Sequence, residues 1–423
     1  VVAVRIARAV ASWRVHGTAD REHRLLLACA GARVDSHAIS TIATVIGDGI
    51  DWTRAIALAL HHGVAPALHT AFAASALVGA VPPEILDALA YYCRTTRERN
   101  TRLASELATI LSSLAVEDIS ALPFKGVALA QTVYGDLAHR PVGDLDILVR
   151  PRDMTRVCAL LVERGYRDTA GPALRTPVQH AMYRRYQCEY QFVHDANGFV
   201  VEPHWALVQQ VHAIDLDYEG QFARAQRTTL AGSPVLVHSP EDLLLVLCVH
   251  GAKHEWERLG WIRDVAMLLE RGADLGLDLD AALALARQQY CARMLFVGVE
   301  LAHRLLNAPL PESLQRASRR DAAVSPLVDR VRHRLSAAGL ARDNNTRVTR
   351  FSFDMHERVR NKLQYVSRTL LLPRREHIEM IALPATLAWA YYPLRWAHDY
   401  VALPLWIVTR PLRRRPAVAP QTR

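Results

Sequence analysis

The segment Gly143–Val149, GDLDILV, sets two carboxylates into a run that otherwise has the apolar texture of a buried strand. An isolated ionised carboxylate in such surroundings costs several kcal/mol unless it is paired. A strand alternates its faces, so Asp144, Asp146 and Leu148 fall on one side and Leu145, Ile147 and Val149 on the other. Two acids sharing one buried face repel unless a cation lies between them, and hard oxygen donors of this kind suit Mg²⁺ or Mn²⁺. The alternative is a solvated strand edge. The apolar neighbours favour the cation.

Two acids rarely complete such a site. A third stands in GFVVEPHW, where Val200, Glu202 and His204 share a face of a second expected strand. If that strand lies beside DLDILV, Asp144, Asp146 and Glu202 converge and can hold two cations about 3.5–4 Å apart, the arrangement that activates an attacking oxygen and steadies a leaving pyrophosphate. Pairing of Glu202 with an arginine such as Arg140 is the competing expectation. His204 and Trp205 suit either a cleft or the core of the same strand.

Upstream, Lys125-Gly126 sits where the strand-like ALPF should turn into the helix KGVALAQTVY. Glycine lets a backbone approach a phosphate closely, and a helix start favours negative charge. Only three of the 51 basic residues are lysines (Lys125, Lys253, Lys362), so a lysine at this turn departs from the chain's own habit. Lys125, Gly126 and Arg140 are therefore the candidate phosphate-binding residues, although Arg140 could equally pair with an acid.

The middle of the chain alternates short apolar runs with amphipathic helices and reads as α/β, flanked by helical regions. The expected organisation is a helical region over 1–112, an α/β domain over 113–240, a helical domain over 241–345, and an apolar helical segment with a basic tail over 346–423. Pro82-Pro83 marks a helix start. EYQFVHD and GFVVEPHW, separated by Asp195–Gly198, are expected to form an antiparallel hairpin, and PVLVHSP a last strand. The helix ending in HGAKHEW places His250 and His254 four residues apart on one side, facing the cleft, and Asp264 is placed to orient an arginine or a nucleotide hydroxyl, with a structural salt bridge the more common outcome.

The formal charge of +9 invites a nucleic-acid partner, but RPLRRRPAVAPQTR alone supplies five arginines and no acid. What remains on the body of the chain is too small for a nucleic-acid groove, and the expectation is against one. Six scattered cysteines without a C-x-x-C pair point to neither disulfides nor structural zinc, and fit a reduced, cytoplasmic setting. The opening VVAVRIARAVASWRVHG reads as an amphipathic helix, its apolar run broken by Arg5 and Arg8. Near the end, Pro393, Arg395, His398, Asp399 and Pro404 cut the most apolar stretch into pieces shorter than a spanning helix needs. That stretch should dock on the body or lie weakly on a membrane surface.

LPFKGVALAQTVYGDLAHRPVGDLDILV, then VEPHW, then SPEDLLLVLCVHGAKHEWERLGWIRDVAMLL, resembles an uncharacterised bacterial nucleotidyltransferase family, within the superfamily that shares the DNA polymerase beta-type palm. The resemblance covers roughly 100 to 270 and implies a mixed-sheet palm. It also implies a metal-dependent transfer of a nucleoside monophosphate from an NTP to a hydroxyl or phosphate of a small-molecule, peptide or protein acceptor. Asp144, Asp146 and Glu202 would be the catalytic and metal-binding acids, and Mg²⁺ or Mn²⁺ the cofactor. The Gly-Ser of the wider superfamily's phosphate turn is Lys-Gly here, which keeps open a non-catalytic nucleotide-binding or sensor protein on the same fold. A peripheral membrane adaptor is the third reading.

Overall fold

The computed structural model describes residues 20–74, 77, 79–169, 174–336 and 348–402. The helix expected over the first seventeen residues and the basic tail lie outside them. Strands β1 (Ala121–Pro123), β2 (Leu145–Val149), β3 (Tyr166–Asp168), β4 (Phe192–His194) and β5 (Val200–His204) form one sheet in the order β1-β2-β5-β4-β3. β2 and β5 run parallel and the other neighbours antiparallel, so the fold is a mixed α/β sheet with helical flanks. β6 (Gln226–Leu230) and β7 (Ser233–Val237) make a separate two-stranded ribbon.

Local chemistry accounts for most boundaries. The helix Pro83–Val116 starts on its proline pair, with Pro82 in an extended conformation that a following helix accepts. The helix Met154–Glu163 stops just before Gly165, whose φ of 85° reverses the chain into β3. Between β4 and β5, Gly198 at φ 69° and the Asn197 side chain, which accepts from the Phe199 N–H at 2.9 Å, build the hairpin turn.

Three details depart from the sequence reading. Asp144 falls one residue short of β2 rather than inside it, and the EYQFVHD strand pairs continuously only from Phe192, with Glu189 held to His204 by an isolated bridge. β3 and β6 have no counterpart among the expected strands. The first is three residues carrying an arginine and an aspartate, and the second is largely exposed, so neither has an apolar alternation to read.

Strand β2 is the seam between two hydrophobic cores. Leu148, on the side of Asp146, packs with Leu122 and Phe124 into a core that also contains the helices of residues 20–72 and 240–335. Leu145, Ile147 and Val149 belong to the other core, with Val201, Phe192 and the second half of the helix Pro83–Val116. Each such side chain withdrawn from water adds about 1.5–3 kcal/mol, so both faces of the strand are anchored. The second core also takes in Ile378 and Tyr391 from the last described segment, where the Gln179 side chain donates to the Ile378 carbonyl at 2.7 Å.

Candidate functional site

The parallel register of β2 and β5 sets Asp146 directly beside Glu202, and Leu148 beside His204. Asp146 is only 3% exposed. Its Oδ1 lies 3.2 Å from Lys125 Nζ and 3.1 Å from His204 Nε2. Burial by itself would raise the Asp146 pKa; Lys125 and His204 outweigh it and hold the carboxyl well below the usual carboxylate range. Burial likewise opposes the Lys125 charge, and Asp146 and Asp144 overcome it, so the ammonium is kept.

The other two acids are shifted the opposite way. Burial and the neighbouring Asp146 charge push Glu202 up to about 7, against a hydrogen bond from Gln191 Nε2 at 2.9 Å. Asp144, partly exposed, is raised by burial and by Asp146. Asp146 and Glu202 stand together, whereas Asp144 is not among the close ligand atoms and is linked to them by its electrostatics alone. Asp146, Glu202 and His204 each present a ligand atom within 4.8 Å of the other two. The carboxylate oxygens of Asp146 and Glu202 fit a hard divalent cation, which would relieve the repulsion that raises Glu202, whereas the His204 imidazole is the donor less suited to one.

Lys125 precedes the helix Gly126–Thr132, and Gly126 takes φ 59°. A Cβ there would lie 3.2 Å from the Asp144 carbonyl oxygen, so the glycine also lets the turn close on the acid-bearing loop. Arg140 pairs with an acid, one of its two expected roles: Nε and Nη2 donate to the two Asp264 oxygens, each at 2.9 Å, while Nη1 lies 3.5 Å from the Gly126 carbonyl oxygen, and Tyr134 Oη donates to Asp264 Oδ1 at 2.7 Å. Arg140 does not pair with Glu202. Asp264 is buried in this arrangement, away from the carboxylate cluster's ligand atoms.

His250 and His254 do come together, ring centroids 4.8 Å apart, and both pack on Trp261. The helix Pro240–Lys253 ends before His254, because Glu255 and Trp256 both take positive φ. Burial and the Lys125 charge hold the His250 pKa well below the usual imidazole range. Trp205 tilts against Tyr190 at 5.1 Å, a packing role.

Two contributors lie outside the sequence reading. Glu189 Oε2 is 3.2 Å from His204 Nδ1, though without hydrogen-bond geometry, and Gln191 holds Glu202. The signal was the alternation Glu189-x-Gln191 in an apolar run, the same pattern as Glu202-x-His204 across the hairpin. A separate group, His377, His398 and Asp399, also has close ligand atoms. There His377 Nδ1 accepts from the Arg374 N–H at 3.1 Å, so Nε2 carries the proton toward Asp399 and has no lone pair for a metal.

No curated protein and no solved structure matches the chain. A family model described as "Uncharacterised nucleotidyltransferase" matches residues 48–307, which includes all five strands of the sheet and every acid of the cluster. The chain therefore belongs to this uncharacterised nucleotidyltransferase family.

Proposed function

We propose that the protein transfers a nucleoside monophosphate from an NTP to a hydroxyl or phosphate acceptor, with a divalent cation held by Asp144, Asp146 and Glu202. The observation that carries this is the pairing of Asp146 beside Glu202 in parallel strands, with Lys125 on the same carboxylate. A bound Mg²⁺ or Mn²⁺ would supply charge neutralisation at the phosphates and a more acidic attacking hydroxyl. Lys125 supplies a fixed, desolvated positive charge beside the acids, placed to meet a phosphate oxygen. His204 orients Asp146 through its Nε2 contact, and Glu202, beside Asp146, is placed to accept the acceptor's proton. A cavity of about 270 Å³ reaches Glu189 and is lined also by Tyr183, Gln209, Arg374 and Arg375, which supports entry of the acceptor from that side.

The second reading, nucleotide binding without turnover, is favoured by the engagement of Arg140 with Asp264, which leaves Lys125 as the main cation facing the acids. Thermal denaturation with each of the four NTPs, with and without Mg²⁺ or Mn²⁺, tests both. A ligand at 100 times its dissociation constant adds about 2.7 kcal/mol. Metal-dependent stabilisation by one NTP, lost in Asp144→Asn/Asp146→Asn, supports the site; absence of any stabilisation removes it. Pyrophosphate release then separates transfer from binding alone.

A further inference from the structure

The segment from Arg358 to Ala402 carries outward apolar side chains that the proposed chemistry does not use. Of the fifteen large hydrophobic side chains exposed among the described residues, ten lie between Val359 and Tyr400. On the helix Val359–Leu371 they form a stripe: Val359, Leu363 and Leu370 project within about 40° of one another at 100° per residue. The opposite side of the same helix, Tyr365 and Thr369, is buried against the body. Beyond it, Trp389 and Trp396 are 64% and 59% exposed, and Trp396 stands beside the exposed Tyr400 at 6.0 Å.

The charges around this face have one sign. Residues 358–368 contain four arginines and lysines and no acid. The three acids that follow are met by basic partners of the same segment: Glu376 by Arg374, Glu379 by Arg375, and Asp399 by Arg374, Arg395 and His377. Arg395 is itself buried, holding the Thr369 and Leu372 carbonyls at the end of the stripe-bearing helix. The sequence beyond is also apolar and then arginine-rich, without an acid. No helix among the described residues is long and apolar enough to cross a membrane.

We propose that this face rests on the surface of an anionic lipid bilayer, its aliphatic stripe and tryptophans entering the headgroup boundary and its basic side chains meeting lipid phosphates. An apolar stripe flanked by Lys and Arg, with Trp and Tyr at the rim, is the chemistry of interfacial helices. A nucleic acid would use the arginines but leave the exposed leucines unserved, and a second copy of the chain would bring equal positive charge to the contact. The inference does not depend on transfer activity.

Sedimentation of the full chain with vesicles tests it, using phosphatidylcholine alone and phosphatidylcholine mixed with phosphatidylglycerol. Binding is expected only to the anionic vesicles, weakened by added salt. It should fall about tenfold or more in Leu363→Glu/Leu370→Glu and in Trp389→Ser/Trp396→Ser, whose exposed positions leave the fold intact by circular dichroism. Three results overturn the proposal: no binding to anionic vesicles, undiminished binding by both double variants, or a concentration-dependent dimer abolished by those variants in a protein that ignores lipid. Binding of an RNA oligonucleotide without vesicle binding overturns it as well.

Discussion

Lys125 Nζ lies 3.2 Å from Asp146 Oδ1, with both side chains largely withdrawn from water. Removing one partner of a buried pair strands the other charge, at about 3–5 kcal/mol. Lys125→Met should therefore destabilise the protein by roughly 3 kcal/mol, and Lys125→Met/Asp146→Asn by clearly less than the sum of the single changes. Urea midpoints of the four proteins check this. Additive losses would mean that the two groups do not stabilise each other.

Asp144 behaves differently, because its ionised form is disfavoured where it stands. Asp144→Asn is expected to leave the melting temperature unchanged or slightly higher while pyrophosphate release falls by more than the roughly 10–100-fold that outer partners of a metal site cost. The paired readout distinguishes a ligand from a scaffold residue, since a scaffold acid would lower both.

Stability should also depend on pH through Glu202. Its folded pKa, about 7, exceeds the ordinary 4.5, so the native state binds the extra proton between those values. The sign follows: the contribution of Glu202 to stability is greatest below 4.5 and declines as the pH climbs toward 7, by an amount on the order of 3 kcal/mol. In chelator, Glu202→Gln should gain on the wild type from pH 5 to pH 8. A constant difference across that range would assign the proton elsewhere.

Gly251 and Gly298 make room for Trp256. A Cβ on Gly251 would sit 2.3 Å from the indole, and one on Gly298 2.5 Å from Cys248 Sγ. Although alanine favours a helix by up to about 1 kcal/mol, overpacking here should prevail. Gly251→Ala is expected to cost about 2 kcal/mol in denaturant unfolding, with much of the loss recovered by Trp256→Leu. No recovery would place the clash on the backbone.

Arg140 grips Asp264 with two parallel hydrogen bonds, a geometry lysine cannot copy. Arg140→Lys should lower stability by about 2 kcal/mol yet retain the metal-dependent nucleotide shift. Loss of that shift with unchanged stability would return Arg140 to the phosphates.

Much of this arrangement was legible in the residues because a buried acid is conspicuous. Asp146 and Glu202 each interrupt an apolar strand, and alternation alone brings Asp146 and Glu202 to facing positions once the strands are neighbours. The Lys125-Gly126 turn and the β4–β5 hairpin follow from glycine and turn chemistry. What escaped has a common cause. β3 and β6 are short or exposed, so they carry no period, while Glu189 gains its meaning from a partner in another element, and Arg140 was readable as pairing with an acid but not with which one. Asp264 is 124 positions from Arg140, and no local pattern encodes such a choice.

The two-sided anchoring of β2 has an evolutionary corollary. A single inserted or deleted residue in Leu145–Val149 would exchange the side chains beyond it between the two cores, and one falling just before Asp146 would turn that carboxyl into the core of Leu145, Ile147 and Val149. The loops around the sheet can lengthen or shorten as a lineage drifts, whereas this pentapeptide can change its letters but not its count.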